Sequence, residues 1–165
     1  MEEALQYAYV SAEKYNDPRI RIFKVRILLI YDPKRDKLKA SSMIDMKDVE
    51  LLTKNQDVFS FSLLGWLYGN GIGVQVNKAK AIEFYIKASY LNDALSMNNL
   101  GLCYLHGYGV EKNTRKAVEL LQKASDLGDT NTDAMCELGE CYLQGEGVEK
   151  NEHKAVELFQ KASDL

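Results

Sequence analysis

Three short spacings in this sequence have the residue types to do chemistry. In LGLCYLHGYGVEKN at 100–113, Gly107-Tyr108-Gly109 has the small residues that let a backbone cradle phosphate. Cys103 with His106 has the Cys-x-x-His spacing of half a metal site. Ser11-Ala12-Glu13-Lys14 matches Ser-x-x-Lys, the nucleophile motif of penicillin-recognising enzymes. Each fails on its context. A dinucleotide loop follows a buried strand and a Walker loop runs into Gly-Lys-Ser/Thr, and neither surrounds Gly107. Zinc normally takes four ligands, and the whole chain offers three Cys and two His. The Ser-Asp-Asn and Lys-Thr-Gly companions of Ser-x-x-Lys are missing. No Ser/His/Asp set or carboxylate pair in an apolar setting takes their place. We therefore expect no catalytic residue, no metal and no cofactor.

The elements that hold these residues explain them better. LGWLYGNGIGVQVNKAKAIEFYIKAS from Leu64 recurs as LGLCYLHGYGVEKNTRKAVELLQKAS from Leu100 and LGECYLQGEGVEKNEHKAVELFQKAS from Leu138, at offsets of 36 and 38 residues. A period of this size marks stacked helical hairpins. In the first helix Ser96, Leu100 and Tyr104 fall four apart on one face, and Ala134, Leu138 and Tyr142 repeat them. Gly65, Gly101 and Gly139 sit mid-helix, where glycine costs about 1 kcal/mol relative to alanine, so that helix must approach a neighbour closely. The pairs Gly71/Gly73, Gly107/Gly109 and Gly145/Gly147 end it, since glycine accepts the left-handed backbone of a helix C-terminus. Asn77, Asn113 and Asn151 are placed to cap the second helix. That helix carries Ala117, Val118, Leu121, Ala124 and Ser125 at amphipathic spacing and ends at Gly128 in one copy and Asn92 in another.

Weaker copies extend upstream. Tyr31 precedes Tyr68, Tyr104 and Tyr142 by the same period, and KDVELLTK at 47–54 aligns with KAVELLQK at 116–123, with Asp48 in place of Ala. IRIFKVRILLIY at 20–31 alternates like a strand, but its register favours a helix. The connection DPKRDKLKASSMIDM reads as a long loop without the glycine pair. The predicted organisation is a second helix of an incomplete repeat at 1–16, a degenerate repeat at 17–57, and repeats at 58–93, 94–130 and 131–165. The chain starts and stops inside an array, as a piece of a longer protein would.

With 165 residues, 46% hydrophobic and 27% charged, the composition is that of one soluble domain. No apolar run reaches the roughly 20 residues of a membrane helix. MEEALQYAYV lacks the basic-then-apolar layout of a signal peptide, and three unevenly placed cysteines make no disulfide framework, so a reducing, cytoplasmic setting is expected. The net charge of -3 is uneven. Residues 19–40 hold Arg19, Arg21, Lys24, Arg26, Lys34, Arg35, Lys37 and Lys39 against Asp32 and Asp36, a local +6 that leaves -9 elsewhere. That segment is either a solvated face or a dock for an acidic protein, RNA or anionic lipid.

The pattern L-G-x-x-Y-x-x-G-x-G-V-x-x-N-x-x-K-A resembles the Sel-1-like repeat, a relative of the tetratricopeptide repeat. The resemblance implies an all-α fold, a right-handed superhelical solenoid of antiparallel hairpins whose first helices line a concave face. It also implies a non-enzymatic scaffold or adaptor, of the kind found in degradation and signalling, that grips a peptide or helix of a protein partner. The disulfide-rich branch of the family has Cys where this chain has Ser89, Ser125 and Ser163. Beside the packed face, the concave positions expected to meet the partner form three rows: Ser62, Asn98 and Cys136; Trp66, Leu102 and Glu140; Asn70, His106 and Gln144. Asn98 has an amide able to donate to and accept from a peptide backbone, and Trp66 is the sole Trp, a residue enriched at binding hot spots. Either side chain instead packs against a neighbouring repeat if it lies inside. Uncapped ends would also allow self-association.

Overall fold

The computed structural model describes Arg19, Ile22, residues 41–42, 44–127 and 132–165, and divides the chain into two compact units, Met1–Ala81 and Ile82–Leu165. The helices given bounds among the described residues are α1 Met46–Asn55, α2 Val58–Asn70, α3 Lys78–Tyr90, α4 Ala94–His106, α5 Thr114–Leu127, α6 Thr132–Gln144 and α7 Glu152–Ser163. There is no strand among the described residues. The readings on 1–16, Ser11, Lys14, Tyr31 and Gly128 lie outside them, as does all of the 20–31 segment except Ile22.

In the first unit α1 starts because the Asp45 carboxylate accepts from the Lys47 backbone N–H at 3.0 Å. It stops at Gln56, where φ is 50°. Its buried side is Asp48, Val49 and Leu52. Asp57 caps α2 by accepting from the Ser60 N–H at 2.8 Å and the Ser60 hydroxyl at 3.0 Å. α2 is apolar nearly all round, as expected of a helix enclosed by others, and buries Leu63, Leu64 and Leu67. Ser41 and Ser42 are helical, within the stretch read from sequence as a loop. The Ser41 carbonyl accepts from the Ile44 N–H at 3.2 Å, closing a turn that delivers buried Ile44 against Gly73.

The second unit contains two complete hairpins, α4–α5 and α6–α7. Asn92, at φ 62°, closes α3, and Asp93 caps α4 by accepting from the Ser96 N–H at 2.9 Å. Met97 and Leu105 of α4, Ala117, Val118, Leu121 and Ala124 of α5, and Ala134, Leu138 and Cys141 of α6 form one apolar cluster. The buried set on α5, Ala117, Val118, Leu121, Ala124 and Ser125, is the one its sequence spacing predicts. Mid-helix Gly101 is needed for close approach: a Cβ there would stand 3.0 Å from Leu121 Cγ, and at Gly139 2.7 Å from the Phe159 ring. A fully buried leucine such as Leu121 contributes about 1.5–3 kcal/mol through its removal from water.

The connection inside each hairpin is built the same way three times. All six glycines of the Gly-x-Gly pairs have φ between 68° and 77°. The N–H groups of Asn77, Asn113 and Asn151 donate to the carbonyls of Tyr68, Tyr104 and Tyr142 at 2.9, 2.8 and 2.8 Å. Their side-chain oxygens accept from the N–H groups of Lys80, Lys116 and Lys154 at 3.0 Å, the predicted cap in every copy. The tyrosines thus occupy equivalent places in successive hairpins.

Candidate partner-binding face

The first helices α2 and α4 are tied at both ends. In α4 the Asp93 cap holds the start, and Gly107, at φ 72°, donates its N–H to the Cys103 carbonyl at the end. Tyr108 donates to the same carbonyl at 2.9 Å, as Glu146 does to Cys141. The Gly107, Tyr108 and Glu146 N–H groups are therefore spent on helix carbonyls rather than turned to a phosphate. Gly147 lies against the Thr114 carbonyl, which repels an anion. These loops are backbone turns.

The cysteine and histidine reading separates equally clearly. Cys141 is 2% exposed in the cluster, and burial, then the carboxylates of Glu146, Glu137 and Glu140, push its thiol up to about 11. It is a neutral packing group at physiological pH. Cys103 is half-buried, Cys136 is exposed, and all three are free thiols. His106 is exposed with its ring 5.3 Å from that of Tyr108. Among the described residues no group of three His, Cys, Asp or Glu side chains is arranged to hold a metal ion.

The three predicted rows divide by burial. In the first row Asn98 is 4% exposed and Ser62 5%, whereas Cys136 is open. A side chain at 4% exposure offers a partner no surface, so Asn98 is an interior residue. Its Oδ1 has no hydrogen-bond partner, and neither has the buried Ser96 hydroxyl. In the second row Trp66 and Leu102 are half-buried and Glu140 exposed; in the third Asn70, His106 and Gln144 are all exposed. Asn70 folds back on its own helix, donating from Nδ2 to the Trp66 carbonyl at 2.9 Å. On the second unit the exposed set is therefore His106 on α4 and Cys136, Glu140 and Gln144 on α6, with Leu102 half-buried against the cluster; on the first, Asn70 of α2 is exposed and Trp66 half-buried. Of the basic segment only Arg19 is described, 3.6 Å from Asp57 in an ion pair. Arg21, Lys24, Arg26, Lys34, Arg35, Lys37 and Lys39 lie outside the described residues.

Two side-chain devices hold these hairpins and were missed in the sequence. Lys116 donates from Nζ to the Tyr104 hydroxyl at 2.7 Å, and Lys154 does the same to Tyr142. Both ammonium groups also lie 4.3 Å from the ring centroid, and Lys80 lies 5.0 Å from that of Tyr68. The signal was available, since each lysine follows its tyrosine by 12 residues in all three copies. The second device is Lys112, which bridges to Glu146 of the next hairpin at 2.8 Å. Nothing within one repeat announces that pair.

The Sel1 repeat family model matches residues 62–93, 94–129 and 132–165. The chain belongs to the Sel1 repeat family. Among solved structures, a Sel1 repeat protein from Oxalobacter formigenes is similar at 28% identity and a TM-score of 0.65, over 84% of this chain and 53% of that one. Cysteine-rich protein B of Helicobacter pylori is similar at 32% identity and a TM-score of 0.57, over 72% of this chain and 86% of that one. A protective antigen of uropathogenic Escherichia coli with an SLR fold shares the fold at 22% identity and a TM-score of 0.67, over 98% of this chain and 33% of that one. This Sel1 repeat chain thus spans about half the length of the Oxalobacter protein and a third of the Escherichia coli antigen. Comparison with curated protein sequences yields no match. The fold is an all-α helical-repeat solenoid, and among the described residues no helix is long and apolar enough to cross a membrane.

Proposed function

We propose that this Sel1 repeat chain is a non-enzymatic adaptor whose first helices grip an extended segment or a helix of a protein partner. Sel1 repeats are in general protein–protein interaction modules. The observation that carries the reading is a contrast between frame and face. Leu100/Leu138, Tyr104/Tyr142 and Ala117/Ala155 recur with the same roles. Half-buried Leu102 against exposed Glu140, and the exposed pair His106/Gln144, change chemistry at equivalent positions. Constant interior with variable exterior suits a surface whose composition selects a guest. Trp66, half-buried on α2, is the natural apolar anchor. Free thiols at Cys103, Cys136 and Cys141 fit a reducing, cytoplasmic setting.

The test is capture of partners on immobilised chain, with wild type set against Trp66→Ala, His106→Glu and an outer-helix control, Glu119→Lys. Loss of about tenfold or more in affinity is expected for Trp66→Ala and a smaller loss for His106→Glu. Neither should move the melting temperature enough to account for it. Retention by both face variants with loss in the control would refute the reading.

A further inference from the structure

The first helices of the three hairpins end alike, on the left-handed glycines Gly71, Gly107 and Gly145 at φ 68°, 72° and 72°. The residue before the glycine differs: it is Asn70, His106 and Gln144 in turn. Asn70-Gly71 is the sole Asn-Gly step in the sequence. The difference is chemical. Attack of the following backbone nitrogen on an asparagine side-chain amide closes a five-membered imide. Glutamine would need a six-membered ring, which closes far more slowly, and histidine has no acyl carbon to attack. Glycine hinders the attack least, because no side chain stands beside its nitrogen.

The fold exposes this pair yet holds its reacting groups apart. Asn70 is exposed at the last position of α2. Its Nδ2 donates to the Trp66 carbonyl at 2.9 Å, while the Gly71 N–H donates to the Leu67 carbonyl at 2.8 Å. Amide and nucleophile are thus each engaged with α2, and both bonds must break before they meet. Both belong to the last turn of a helix, the part that frays first.

The residues that follow leave the turn no slack. Ile72 is fully buried and donates its N–H to the Leu67 carbonyl at 3.2 Å. Gly73 lies against the Ile44 side chain, and the Asn77 N–H is tied to the Tyr68 carbonyl at 2.9 Å. An isoaspartate at 70 would lengthen the main chain by one methylene between α2 and this anchored turn. It would also set a carboxylate at a helix C-terminus, where the dipole disfavours negative charge.

We propose that Asn70 is a self-modification site, at which the chain converts its own side chain to isoaspartate and aspartate. The deprotonated Gly71 nitrogen attacks Asn70 Cγ, the Cγ–Nδ2 bond breaks, and ammonia leaves with a proton from water. Water then opens the imide. Addition at Cγ releases aspartate, and addition at the backbone carbonyl carbon releases isoaspartate, whose main chain runs through Cγ. Opening of the last turn of α2 sets the rate, and the isoaspartate product unties that end of the helix. The proposal stands whether or not this face binds a partner.

The experiment incubates the full 165-residue chain, a peptide of sequence 68–78 and the Asn70→Gln variant at neutral pH. Products are mapped by mass spectrometry, with an isoaspartyl methyltransferase labelling the isoaspartate. Both products are expected at 70, ahead of any change at the other asparagines. The folded chain should react about fivefold to a hundredfold more slowly than the peptide, the worth of its two hydrogen bonds. Urea should bring the chain up to the peptide's rate. Asn70→Gln should stay unmodified and keep its melting temperature, since Gln144 fills the same place in the third hairpin. Hydrogen exchange of the isoaspartate fraction should quicken at the Gly71 and Ile72 N–H groups. No product at 70, product free of isoaspartate, a folded chain as fast as the peptide, or unchanged exchange in the isoaspartate fraction would overturn the proposal.

Discussion

Gly147→Ala tests the hairpin-to-hairpin joint at its tightest point, and Gly107→Ala supplies its reference. Both glycines are left-handed, at φ 77° and 72°. An alanine at either therefore carries the same backbone strain of about 1–2 kcal/mol. Their surroundings differ. A Cβ at Gly107 meets nothing closer than 3.6 Å, ordinary van der Waals contact. A Cβ at Gly147 falls on the Thr114 carbonyl, 2.5 Å from its carbon and 3.1 Å from the Arg115 nitrogen. These are backbone atoms at the start of α5, so relief requires the third hairpin to move off the second. Overpacking of this kind costs about 1–3 kcal/mol more. Gly107→Ala should thus lose about 1–2 kcal/mol and Gly147→Ala about 2–5 kcal/mol in urea unfolding. Because repeat stability is a sum of repeat and neighbour terms, hydrogen exchange in the second variant should quicken first in α6 and α7. Equal losses for the two variants, or exchange that quickens uniformly, would refute the claim that this glycine exists to let hairpins stack.

Other predictions concern individual side chains. Tyr104→Phe and Tyr142→Phe, which each lose the bond to a lysine ammonium but keep the ring beneath it, should cost about 0.5–1 kcal/mol, and adding Lys116→Ala or Lys154→Ala respectively should cost less than that lysine substitution costs alone. Additive losses in the double-mutant cycle would remove the clamp. Asn98→Cys, the third repeat's residue at that position, removes an unpartnered buried oxygen and should be neutral or raise stability by about 1 kcal/mol. A loss above that size would reveal a bond to this amide. Cys136 should alkylate at pH 8 while Cys141 stays protected, as mass mapping of iodoacetamide adducts can read. The Cys141 thiol is raised in the fold from 9.0 to about 11, so it favours the neutral form there. Its contribution to stability is complete below pH 9 and is lost as pH rises toward 11. Cys141→Ala should flatten that alkaline decline.

Most of the frame could be read from the sequence because its determinants are local. Glycine pairs, capping asparagines and the α5 stripe each act within one helix or turn, and each recurs at a fixed offset. Asn98 could not be read in the same way. Its register puts it beside the packed face, and whether such a position lies inside depends on whether another hairpin covers it. The same slot is buried as Asn98 and open as Cys136. Lys112 and Glu146 stand 34 residues apart in different repeats, so the periodicity that revealed the hairpins carries no information about their pairing. Ser41 and Ser42 fell to the opposite error, because a segment lacking the glycine pair was read as loop although serine can sit in a short helical turn.

Hydrogen exchange of the chain with and without its captured partner addresses the central claim most directly. Protection concentrated on the first helices, around Leu102–His106 and Glu140–Gln144, is the predicted result. Protection confined to the outward side of α5, around Glu119 and Lys123, with the first helices unchanged, would contradict it.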